Sequence, residues 1–174
     1  MRRLLLVFAA AQFPAVLAAQ DNLPTPRAEL LNHFNMSIRK VIALAEAMPA
    51  DRFTWSPGKD VMPVGQVYAH IARYNFYYPS TALGAKLPAG IGLDTLESLR
   101  DKAAIVRLLR QSADYARSAM TNLPDAQVDA ATRLYGRTIP GWGVMLQLVA
   151  HMNEHLGQSI AYARSNGVVP PWSQ

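Results

Sequence analysis

The sequence predicts an all-α protein, a four-helix bundle in a single domain. Three observations carry this expectation. Four stretches repeat apolar residues at intervals of three and four, Pro and Gly punctuate the segments between them, and no strong strand pattern or internal repeat interrupts the series. With 174 residues, 51% hydrophobic and 17% charged, the chain can bury one sizeable core.

The first helix opens at Thr25-Pro26, a capping hydroxyl followed by proline at the first helical position. Leu30, Leu31, Phe34, Ile38, Val41, Ile42 and Ala45 form its apolar stripe to about residue 48, and Pro49 ends it. Residues 49–63 read as a shaped loop, with Phe53 and Trp55 as apolar anchors back onto the bundle. A second helix is expected from Val64 to about Tyr78, with Pro79 near its end. Residues 84–97 are rich in Gly and Pro and long for a helix hairpin, a length suited to crossing the end of a bundle. The third helix is expected from about Leu99 to Asn122, stopped by Leu123-Pro124-Asp125. Residues 126–138 read as a connector with an extended piece around Leu134 and Tyr135. Thr138 and Pro140 open the fourth helix, whose stripe includes Met145, Leu148, Val149, Met152, Leu156 and Ile160, with Gly167 as its C-terminal cap.

The N-terminus has the pattern of an export signal. Arg2 and Arg3 precede an apolar run from Leu4 to Ala11, and Val16-Leu17-Ala18 or Leu17-Ala18-Ala19 supplies small residues suited to cleavage. Residues 1–19 are therefore expected to be a signal peptide and residues 20–174 the mature domain, periplasmic or secreted. Gln12 and Pro14 break the apolar run well short of the ~20 residues that a membrane span needs, so no stable membrane insertion is expected.

Charge and composition narrow the function. The formal charge is +5, and removing Arg2 and Arg3 leaves 15 basic against 12 acidic residues. The remaining Lys and Arg are scattered, without a basic run or interleaved aromatic platform, which argues against nucleic acid as a partner. Cysteine is absent, so disulfides, a thiolate nucleophile and Cys-ligated zinc are excluded.

The chemistry therefore falls to the four histidines. His151 and His155 stand four apart on the fourth helix, which stacks both imidazoles on one face where they can reach a single ion. That spacing alone also fits two structural histidines. His70, in an apolar stretch of the second helix, offers a third ligand, because a buried imidazole without a partner costs about 1–3 kcal/mol and shared coordination would supply one. Three neutral imidazoles with open positions suit zinc, nickel, iron or copper. His33 has no spacing partner and reads as a packing or surface residue. Glu154 completes an H-x-x-E-H pattern from His151 to His155, in which the Glu of inverted zinc peptidases activates water. Those enzymes need a further downstream acidic ligand, and the 19 residues after His155 contain no Asp or Glu. Glu154 is retained as a candidate catalytic residue, either accepting a histidine N–H or standing in solvent. Gln158 and Asn75 are candidates for orienting a bound group.

Trp55-Ser56-Pro57, the Val-Tyr-Ala-His-Ile-Ala run at 67–72, and His-Met-Asn-Glu-His-Leu-Gly-Gln at 151–158 followed by Tyr-Ala-Arg-x-x-Gly at 162–167 together resemble the DinB/YfiT superfamily of metal-binding four-helix bundles. The resemblance covers essentially the whole mature chain. It implies an up-down-down-up bundle, zinc or nickel on His70, His151 and His155, and homodimers. It also implies thiol-dependent transferase or isomerase chemistry as one precedent. The expected export departs from that precedent, since low-molecular-weight thiols are scarce outside the cytoplasm. Metal-activated water is then an equally physical nucleophile. The expected function is a metal-dependent hydrolase or thiol S-transferase acting on a small molecule, with a non-enzymatic metal- or ligand-binding bundle as the alternative.

Overall fold

The computed structural model describes residues 23–173, so the expected signal peptide lies outside the described residues. Helix α1 (Pro26–Ala47) starts as its sequence dictates: Thr25 Oγ1 accepts a hydrogen bond from the Ala28 N–H at 3.2 Å, and Pro26 sits in the first turn. Helix α2 (Val64–Ala82) continues through Pro79 instead of ending near Tyr78. Proline removes one backbone donor, a local loss so close to the helix end, and the Leu83 N–H still donates to the Pro79 carbonyl at 3.1 Å. Helix α3 (Lys102–Asn122) begins later than Leu99, because Asp101 caps it by accepting from the Ala104 N–H at 2.7 Å.

The connector after α3 holds a short helix α4 (Asp125–Val128) and an antiparallel hairpin, β1 (Ala131–Leu134) and β2 (Arg137–Pro140). Leu134 pairs with Arg137, so the expected extended piece is a strand end at Leu134 and a turn at Tyr135. Thr138 belongs to β2, and helix α5 (Gly141–Ser165) opens after Pro140. Gly141 is required there: a Cβ would sit on the Gln127 carbonyl oxygen. Gly167, at φ 75°, ends α5 with the Val168 N–H donating to the Ala163 carbonyl at 2.8 Å and its own N–H to that of Arg164 at 3.0 Å, the paired bonds of a left-handed cap.

Side-chain contacts fix the helix directions. Arg117 Nε donates to Asn35 Oδ1 at 2.8 Å and Lys102 Nζ to the Met48 carbonyl at 2.6 Å, so α1 and α3 are antiparallel. Asn75 donates to Ser112 Oγ at 3.1 Å and Tyr115 to the Ala85 carbonyl at 3.0 Å, so α2 and α3 run the same way. His70 meets His151, and Trp55 before α2 meets Tyr162 near the end of α5, which makes those two helices antiparallel. The order is therefore up, down, down, up, with α3 and α5 each packed on both α1 and α2. Phe34, Ile38, Ile71, Phe76, Ile105, Leu109 and Met145 are fully buried between them. Among the described residues, no helix is long and apolar enough to cross a membrane.

Candidate metal centre

His70 projects from the middle of α2 toward α5, where His151 and His155 stand one turn apart. Each ring offers a nitrogen, and the three nitrogens lie within 4.8 Å of one another. His70 Nε2 and His151 Nε2 are 3.2 Å apart. Two nitrogens on one tetrahedral zinc at about 2.0–2.1 Å would be separated by about 3.3 Å, so this spacing already fits a shared ion.

The outer nitrogens orient two of the rings. His70 Nδ1 lies 2.9 Å from Glu97 Oε1. A carboxylate only accepts, so Nδ1 carries the proton and Nε2 keeps its lone pair toward the other histidines. His155 Nδ1 is 2.7 Å from Gln158 Oε1, and Gln158 Nε2 donates to the Tyr162 hydroxyl at 2.9 Å. The Tyr162 ring meets Trp55 edge-on at 5.4 Å. The loop tryptophan thus reaches His155 through a ring, a hydroxyl and an amide.

Burial favours the neutral form of two of the rings, His151 and His70. It is the main cause that lowers the His151 pKa to about 3, and the neighbouring His155 and His70 lower it further. Burial also lowers that of His70, with Glu97 opposing the shift. Near pH 7 both offer lone pairs, which is the state a metal requires. Tyr74 closes one flank, its ring 4.4 Å from His151 and 4.7 Å from His70, and Tyr78 meets His151 edge-on at 5.7 Å.

The structure thus brings together His70, His151 and His155, with Gln158 beside them. It places Glu154 on the exposed side of α5, without a hydrogen bond to the three rings. Asn75 is buried and turned to Ser112 on α3, and His33 is exposed beside Glu29 at 3.3 Å. Sequence reasoning missed Glu97. It lies in a 3-10 turn of the crossover, Leu96–Ser98, and no spacing rule connects it to His70. Arg73 Nε stands 3.7 Å from the same carboxylate oxygen and donates to the Leu93 carbonyl at 3.1 Å, pinning that crossover to α2. A cavity of about 600 Å³ lies elsewhere, where α2 and α3 end, and among the described residues no ionisable side chain lines it.

The model of the DinB superfamily matches residues 33–159, a span that contains all three clustered histidines. The chain belongs to the DinB superfamily. A DinB-like protein of Bacillus cereus ATCC 10987 has the same fold, with a TM-score of 0.72 at 17% identity over 82% of this chain and 93% of that one. A DinB-like protein of Bacillus subtilis gives a TM-score of 0.66 at 16% identity over 81% and 93%. No curated protein matches the chain.

Proposed function

We propose that this DinB-superfamily chain is an exported metal-dependent enzyme, in which His70, His151 and His155 hold one divalent ion, zinc or nickel, for attack by water or a thiol on a small molecule. The observation that carries this reading is the convergence of three ring nitrogens within 4.8 Å, two of the rings being held at their outer nitrogens by Glu97 and Gln158. When bound there, such an ion supplies a Lewis acid that lowers the pKa of water or a thiol toward neutrality. The chain's own residues prepare the site. Glu97 keeps the proton on His70 Nδ1, Gln158 orients His155, and Tyr74 and Tyr78 shield one side of His151.

Elemental analysis of protein purified without a histidine tag tests the centre. One equivalent of metal in the wild type and almost none in folded His70→Ala and His151→Ala supports it, whereas equal metal in all three ends it. Thiols, simple esters and amides are then screened with the loaded protein.

One observation favours a second reading, a bundle that only sequesters metal or binds a small ligand. Glu97 is committed to His70 and Arg73, and Glu154 is exposed, so no free carboxylate touches the three rings among the described residues. Turnover by the wild type that disappears in folded His70→Ala would exclude that reading.

Export rests on Arg2, Arg3, the apolar run after them and the small residues near position 19. Outside the cytoplasm, water becomes the readier nucleophile. N-terminal sequencing of the protein from an extracytoplasmic fraction tests it, and a chain that keeps Met1 in the cytoplasm contradicts it.

A further inference from the structure

Four of the seven tyrosines crowd the same side of the histidine cluster: Tyr74, Tyr77 and Tyr78 from α2, and Tyr135 from the hairpin tip. Tyr135 is the unexpected member. It has φ 52° and is followed by Gly136 at φ 74°, so the two form the loop of a tight hairpin whose first position favours Asn, Asp or Gly. A bulky residue in that region of backbone space is strained.

The strained residue is not compensated by deep burial, since Tyr135 is 56% exposed. Its ring is nevertheless held in place. The hydroxyl donates to that of Tyr78 at 3.0 Å, and the ring stacks on Tyr77 at 6.3 Å with 24° between planes. Tyr74 lies 5.2 Å from Tyr78 and 5.5 Å from Tyr77, and the Arg73 guanidinium covers both Tyr74, at 5.1 Å, and Tyr77, at 5.8 Å. A series of ring contacts therefore runs from His151 through Tyr74 and Tyr77 to the exposed ring of Tyr135 on the tight turn.

We propose that Tyr74, Tyr77 and Tyr135 form an aromatic subsite that receives the planar ring of a substrate whose reacting oxygen lies at the three histidines. The inference rests on the metal reading and adds the substrate class, an aromatic carbonyl or acyl compound. Offset or edge-on ring contacts supply the recognition, and the packing of Tyr135 on Tyr77 and Tyr78 holds the outermost ring in position to make them.

The test uses the full chain loaded with Co2+, whose visible spectrum reports ligands that reach the ion, and two probes, benzohydroxamate and acetohydroxamate. The wild type should bind the aromatic compound roughly tenfold more tightly. Tyr135→Asn suits the turn and removes the ring, so it should take up cobalt as before but lose most of that preference. Tyr135→Phe should keep it. Tyr77→Leu, which leaves the hairpin sequence intact, should weaken it. Equal affinity for the two probes in the wild type, or an undiminished preference in Tyr135→Asn and Tyr77→Leu, overturns the subsite alone. Failure to take up cobalt overturns the metal reading and this inference with it.

Discussion

Glu97 Oε1 and His70 Nδ1 are 2.9 Å apart, so a residue of the crossover between α2 and α3 sets which nitrogen of a helical histidine faces the centre. Carboxylates in this position commonly contribute about 10–100-fold to metal affinity. Glu97→Ala should weaken metal binding by that order, and Glu97→Gln, which keeps an acceptor without its charge, by less. Competition with a chelator measures both. Unchanged affinity in Glu97→Ala would remove the carboxylate from the site.

The connection from Trp55 through Tyr162 and Gln158 to His155 makes a parallel prediction. Gln158→Leu should raise the metal dissociation constant about tenfold. Tyr162→Phe should do so more weakly, since the amide loses one partner but keeps its bond to His155. Isothermal titration of the two variants gives the order, and the reverse order would break the relay.

The helices and the clustering of His70, His151 and His155 were legible in the sequence, the helices and the His151–His155 pair through helical periodicity, and His70 through its apolar setting and the family resemblance. His151 and His155 are four apart, and the apolar neighbours of His70 mark an inward-facing position. The fold departs from that reading where short-range chemistry is weak or tertiary contact decides. Strands of four residues are too brief for alternation to stand out, and Tyr135-Gly136 lacks the Asn or Asp that announces a tight hairpin. Pro79 reads as a stop, yet the turn beyond it forms with a single donor missing. Glu97 escaped notice because its place depends on the path of a long irregular segment.

Acid should destabilise the metal-free protein. The folded pKa of His151 is lowered from 6.5 to about 3, so between those values the unfolded chain binds a proton that the folded chain refuses. Stability present at pH 7 is therefore lost progressively as pH falls below about 6.5, and His70 acts in the same direction. Melting temperature measured from pH 7 to pH 4 should decline, with a shallower slope in His151→Leu. A protein that melts higher at pH 4 contradicts the shift.

Two glycines of α5 should respond oppositely to the same substitution. A Cβ at Gly141 meets the Gln127 carbonyl, whereas nothing lies within 4 Å of one at Gly157. Gly141→Ala should destabilise by about 1–3 kcal/mol through overpacking. Gly157→Ala should stabilise by roughly 0.5–1 kcal/mol, because it removes backbone freedom from the unfolded chain inside a helix. Urea denaturation separates the two.

The crossover that allows α2 and α3 to run in the same direction is also the segment that delivers Glu97. Connectivity and the support of His70 are consequently written in one stretch of chain, apart from the helices that carry the three histidines. Insertions or deletions before Glu97 should disturb its contact with His70 while the helical scaffold stays intact. Conversely, an ion that draws His70 into place also tethers this segment through its carboxylate, so hydrogen exchange across residues 93–99 should slow when metal is added.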